Sequence, residues 1–217
     1  MTLQPLETAP MHDRAYQALR RAIMAGVYAP GETVSLNQLA RALGTSIMPV
    51  REALRRLAAE RAVEIVPKRG VHVPRVTREK YEDLARVRQA LEGMAAELSA
   101  QHITAPELAA LERYCAEMNA VAHDGARWQE YVVWNCDFHF QVYRGSRSEV
   151  LLPLIESLWL QSGPLLSLYR ERGIRRQSGL HEAVIAALRA RDGVAARQAI
   201  QADLQHGIGF IRSVAQF

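Results

Sequence analysis

The 217-residue sequence predicts a mainly α protein: an N-terminal winged helix-turn-helix followed by an all-α helical bundle. Three observations lead there. Apolar residues recur at three- and four-residue spacing along most of the chain and alternate only in two short runs near residue 65. Residues 1–78 carry twelve Lys and Arg against six Asp and Glu, whereas residues 79–217 carry fifteen against seventeen. With 49% hydrophobic and 23% charged positions, the chain can fill packed cores, which excludes wholesale disorder. The basic first third suits a polyanion, although charge alone fits an ordinary solvated surface equally well. No apolar run is long enough to span a membrane. Glu7 and two early prolines argue against a secretory signal. Two cysteines, Cys115 and Cys136, form no disulfide framework and fit a reducing cytoplasm.

Residues 1–11 lack periodicity and read as a mobile tail, leaving 12–76 as the first module and 77–217 as the second. Tyr16, Leu19 and Ile23 predict a helix that stops at Gly26. Ser35 and Gln38 make a capping box for a second helix, with Leu36, Leu39 and Leu43 facing inward and Gly44 ending it. Thr45 or Ser46 caps a third helix, with Pro49 in its first turn and Val50, Ala53, Leu54 and Leu57 inward. Arg51, Arg55 and Arg56 then fall on or beside its outer face. The runs Val63–Val66 and Val71–Val73, separated by Pro67-Lys68-Arg69-Gly70, predict a hairpin with a basic tip. Three short helices plus such a wing suit double-stranded DNA. The third helix fits the major groove, and Lys68 and Arg69 can follow the backbone or enter the minor groove.

The pieces LRRAIMAGVYAPGE, LARALGTS, PVREALRRLAAE and KRGVHV, in that order, resemble the DNA-binding domain of GntR-type bacterial transcription regulators. The resemblance implies that Arg51 is the recognition-helix arginine, Ser46 a phosphate contact at the helix start, and Arg69-Gly70 the wing tip. Two positions depart from the family pattern: Leu36 replaces a glutamate, and Ile47 replaces an arginine. The second change removes about 1–3 kcal/mol of discrimination if that arginine reads a base, and Ile47 can instead meet a thymine methyl.

In the second module, Leu84, Val87, Leu91, Met94 and Leu98 predict a long amphipathic helix. Thr104 and Glu107 form a capping box for a helix through Leu108, Leu111, Cys115 and Met118. Further helices are expected at about 127–143 and 148–161, with a break at Gly163-Pro164. Residues 170–179 read as a charged loop, followed by helices at 181–191 and from 193 to about 213. The pieces LARVRQALEGMAAELSA, NCDFHFQVY and HEAVIAALRARDGVAARQAIQAD resemble the FCD ligand-binding domain of the FadR-like branch of the same family. Many FCD domains hold a divalent metal, and the resemblance places the ligand set at Asn135, His139, His181 and Asp203. Asp203 stands where the family usually has histidine. Mixed nitrogen and oxygen donors suit Zn, Ni, Co or Mn. A metal-free polar pocket is the competing reading, and His206, one turn from Asp203, is a possible substitute ligand.

Arg88 shares the spacing of the apolar stripe, and a buried guanidinium needs a partner. Two partners are open: Glu92, or, as the resemblance implies, a carboxylate effector. The expected function is therefore a homodimeric, cytoplasmic regulator, a repressor controlled by a small carboxylate metabolite, associated with the nucleoid when bound to its operator. Two alternatives are a metal-dependent all-α enzyme and a DNA-binding protein without an effector. The sequence offers no nucleophile set and no separate general base, which disfavours the enzyme.

Overall fold

The computed structural model describes residues 10–67, 70–172 and 179–217. Lys68 and Arg69 lie outside the described residues, as does most of the expected 170–179 loop.

The first part holds helices α1 (Met11–Met24), α2 (Leu36–Ala42) and α3 (Ile47–Ala59). As the periodicity predicts, α1 buries Tyr16, Leu19 and Ile23, and α3 buries Val50, Ala53, Leu54 and Leu57. The expected capping box opens α2: Gln38 N–H donates to the Ser35 hydroxyl, and Ser35 N–H donates to the Gln38 side-chain Oε1 at 3.0 Å. Ser46 occupies the N-cap position of α3, but its hydroxyl makes no capping bond and remains exposed. Strands β2 (Glu64–Val66) and β3 (Gly70–His72) pair antiparallel as expected. A two-residue strand β1 (Thr33–Val34) pairs on the other side of β3, giving the order β1-β3-β2. Two residues carry no detectable alternation, so the sequence reading missed it.

The second part comprises α4 (Arg78–His102), α5 (Ala105–Val121), α6 (Trp128–Gly145) and α7 (Leu151–Ser162), then α8 (Leu168–Arg172), α9 (Leu180–Arg189) and α10 (Gly193–Val214). Gly163–Ser167 forms a 3-10 turn after α7, so the expected break falls at Gly163-Pro164. The segment expected to loop from residue 170 is helical as far as Arg172.

The stripe predicted for α4 is corrected. Of Leu84, Val87, Leu91, Met94 and Leu98, only Leu84 is buried, and Val87 and Met94 are exposed. The buried face is instead Ala85, Glu92, Gly93, Ala95, Ala96, Ser99 and Ala100. Neighbouring helices approach too closely for larger residues. A Cβ on Gly93 would lie 3.0 Å from the Gln201 amide of α10, and one on Gly145 of α6 would lie 2.1 Å from the Ser99 hydroxyl.

The two parts touch at the C-terminal end of α1. Arg21 pairs with Asp137 of α6 at 2.5 Å, Arg20 pairs with Glu156 of α7, and the Cys136 thiol donates to the Met24 carbonyl at 3.6 Å. A Cβ on Gly163 would lie 2.7 Å from the Met24 Cα, so backbone packs directly on backbone there.

Candidate functional site

Helices α6, α9 and α10 bring together three of the four residues expected to ligate metal. His139 (α6) and His181 (α9) are buried, and Asp203 (α10) is nearly so. One donor atom from each can be chosen so that all lie within 4.8 Å of one another. His139 Nε2 is 3.1 Å from one Asp203 oxygen, and His181 Nε2 is 3.5 Å from the other. Burial alone would raise the Asp203 carboxyl, but His181 and His139, with a contribution from His206, outweigh it and hold its pKa below the usual value. Asn135, one turn before His139, lines the same cavity and is half-buried. His206 also borders the cavity.

The cavity encloses about 90 Å³, room for a ligand of few heavy atoms. Its walls include Tyr81, Tyr131, Trp159 and Tyr169, which the sequence reading did not single out. Aromatic residues at helical spacing signal a core, and only the tertiary arrangement shows that these face a void. Trp159 offers a further clue: its buried indole N–H has no acceptor among the described residues.

Arg88 also borders the cavity, and its partner is Glu92. Its Nε donates to Glu92 Oε1 at 2.6 Å and Nη2 donates to Oε2 at 3.4 Å, while Nη1 donates to the Ser162 hydroxyl at 3.2 Å. The guanidinium carbon lies 4.6 Å from the Trp159 ring centroid. Of the two partners left open for Arg88, the structure shows Glu92, and the residue also edges the pocket.

The candidate DNA surface lies on α3 and the sheet. Ser46, Arg51 and Arg55 are exposed. Arg55 pairs with Glu52 at 2.8 Å, whereas Arg51 pairs with no acid among the described residues. A shallow groove between α2 and α3 is lined by Asn37, Arg41, Thr45, Ser46 and Ile47, adding Asn37, Arg41 and Thr45 to the residues named from sequence. Gly70 is buried at φ 119°, and a Cβ there would lie 2.2 Å from the Val34 carbonyl oxygen. Its smallness is thus required by the β1–β3 contact itself.

Residues 83–206 match the FCD domain, more than half of the chain, and residues 11–73 match the bacterial regulatory proteins of the gntR family. This protein is a GntR-family transcription regulator with an FCD domain. Among similar proteins, the HTH-type transcriptional regulator McbR of Escherichia coli K12 is 29% identical over 197 residues, 89% of each chain. The HTH-type transcriptional repressor RspR of the same organism is 25% identical over 211 residues, 96% of this chain and 92% of the relative. The solved structure of E. coli McbR/YncC superposes with a TM-score of 0.86 at 26% identity, covering 95% of this regulator and 99% of that chain. Its relatives are named as regulators, and this GntR–FCD protein is accordingly a regulator and not an enzyme. No helix among its described residues is long and apolar enough to cross a membrane.

Proposed function

We propose that this regulator is a homodimeric repressor that leaves its operator when a small carboxylate metabolite enters the FCD cavity. The observation that carries the reading is the convergence of His139, His181 and Asp203 on a cavity whose walls also support the DNA-binding part. Asn135 and His139 lie on α6 and Gly163 in the 3-10 turn after α7, and α1 touches both of these segments as well as α7 itself. A ligand that moves this wall shifts the pose of the DNA-binding part by direct contact. RspR, which is named a repressor, supports the sign of regulation.

On this reading Ser46, Arg51 and Arg55, with the wing residues Lys68, Arg69 and Gly70, form the face that meets double-stranded DNA, and Arg41 adds a cation in the groove beside Ser46. The donor set fits a divalent cation such as Zn, Ni, Co or Mn: two imidazoles and a carboxylate from separate helices, with the Asn135 amide oxygen as a fourth donor. Such an ion, when bound, supplies a Lewis acid for an effector carboxylate oxygen. The protein's own part is to place Arg88 on the same cavity, beside Trp159, where the guanidinium offers donors to the remaining acceptor atoms. The exposed apolar residues Val87 and Met94 on α4 fit a face covered by a second copy. The regulator works where its operator is, in the cytoplasm, and both cysteines are buried; burial, reinforced by Asp137, pushes the Cys136 thiol up to about 12.

Calorimetric titration of chelator-treated protein with Zn, Ni, Co and Mn salts tests the centre. Wild type should bind at least one ion, while His139→Ala and His181→Ala should each lose that binding at least tenfold and still shift operator DNA. If none of the four ions binds wild type, the metal reading is overturned.

A further inference from the structure

His139 is tied at its second ring nitrogen into a buried chain. His139 Nδ1 lies 2.9 Å from the Tyr143 hydroxyl, one turn along α6. The Tyr143 hydroxyl donates to Glu92 Oε2 of α4, and Glu92 is held by the Arg88 guanidinium. Glu92 and Tyr143 are both fully buried. Counting hydrogens fixes the direction. A carboxylate paired with arginine has none to give, so the single hydroxyl hydrogen of Tyr143 goes to Glu92. A phenol keeps its hydrogen near neutral pH, about 3 units below its ordinary pKa of roughly 10. The hydroxyl oxygen can then only accept, and the donor must be His139 Nδ1–H.

We propose that Glu92 and Tyr143 are positioning residues that hold His139 as its Nδ1–H tautomer, so that the Nε2 lone pair faces Asp203 and His181. The proposal rests on the metal reading above. At 3.1 Å from an Asp203 oxygen, a bare Nε2 needs a positive charge between the two atoms, either a second ring proton or a metal ion that takes its place. The buried chain therefore prepares His139 as a metal donor before any ion arrives. Partners of this kind fix tautomer and ring orientation in metal-ligating histidines, and losing one typically costs ten- to a hundredfold in affinity. Arg88 enters through Glu92: it keeps that carboxylate in place as an acceptor.

The substitution Glu92→Gln should reverse the chain. Arg88 Nε retains the amide oxygen, which turns the new NH2 toward Tyr143. The hydroxyl must then donate to His139 Nδ1, moving the ring proton to Nε2. The test uses full-length protein labelled with 15N-histidine, free of metal at pH 8, with the His139 signal assigned by its loss in His139→Gln. Wild type should show Nδ1–H and Glu92→Gln should show Nε2–H. Nickel affinity should fall ten- to a hundredfold in Glu92→Gln, with circular dichroism unchanged, and Tyr143→Phe should also weaken nickel binding. An Nε2–H or doubly protonated ring in wild type overturns the proposal, as does wild-type nickel affinity in both variants. If the tautomer reverses as expected but wild type binds no nickel, zinc, cobalt or manganese, the positioning stands and the metal reading is what fails.

Discussion

Arg51 and Arg56 lie on the same helix and serve different ends. Arg56 lies over the Tyr16 ring, 3.7 Å from its centroid, and pairs with Glu60 at 3.6 Å, so it fastens α3 to α1. Arg51 is exposed and meets no acid among the described residues, which leaves its guanidinium available to a base or phosphate. The sequence grouped both on the outer face, because spacing gives a direction and not a partner. Arg51→Ala should weaken specific operator binding by roughly 10–100-fold, or ~1–3 kcal/mol, with little effect on the melting temperature. An electrophoretic mobility-shift titration reads this, and unchanged affinity and specificity would place the recognition surface elsewhere. Ile47, which stands where the family pattern has arginine, is also exposed at the start of α3, as the expected contact with a thymine methyl requires.

Helix α5 shows how local sequence rules hold where no tertiary contact competes. Glu107 accepts from the Thr104 N–H at 2.9 Å, as its spacing predicts, and from Arg147 at 2.7 Å, which spacing could not show. Burial alone would raise the Glu107 carboxyl, but the Thr104 N–H and hydroxyl, together with Arg147, outweigh it and lower the pKa. A carboxyl lowered on folding contributes stability above its unfolded value, about 4.3, and loses it as pH falls through the lower folded value. Glu107→Gln should therefore be less stable at pH 7 by ~0.5–1 kcal/mol, a modest figure because Arg147 is half-exposed. Urea unfolding at pH 7 and pH 3 should show the gap closing in acid; an equal gap at both would exclude the carboxylate as its source. Helix α4 shows the opposite case. Its large apolar residues look like a core stripe by periodicity, yet the core takes its small ones, because α6 and α10 cross α4 at glycine distance.

At the scale of the whole molecule, that inversion leaves Val87 and Met94 on an outer face of α4, with Leu91 and Leu98 partly buried beside them. Met94→Asp puts a charge into this face, where a second copy would have to desolvate it. Sedimentation equilibrium should give a dimer for wild type and a monomer for Met94→Asp, with weaker operator binding because one chain meets one half-site. A wild-type monomer at micromolar concentration, or a dimeric Met94→Asp, would move the interface away from this face. The contact between the two parts has the same tertiary origin. Arg21 and Asp137 are 116 positions apart, and Gly163 looks only like a helix breaker until Met24 is seen against it.

The sequence by itself determined the winged module, the order of the bundle helices and the two capping boxes, because periodicity, caps and turn residues act over a few positions. It also named His139, His181 and Asp203, although by likeness to a family and not by spacing, since the latter two lie far from the first along the chain. Tertiary structure alone decided which face of α4 is inside, that Arg88 is held by Glu92, and that Tyr143 connects Glu92 to His139. It alone placed Trp159 on the cavity and α1 against the cavity wall. Each of these depends on how closely two helices approach and on which polar atoms meet when they do. Burial makes such meetings obligatory, because a buried donor or acceptor without a partner is costly, but the pattern along one helix does not reveal what faces it from another.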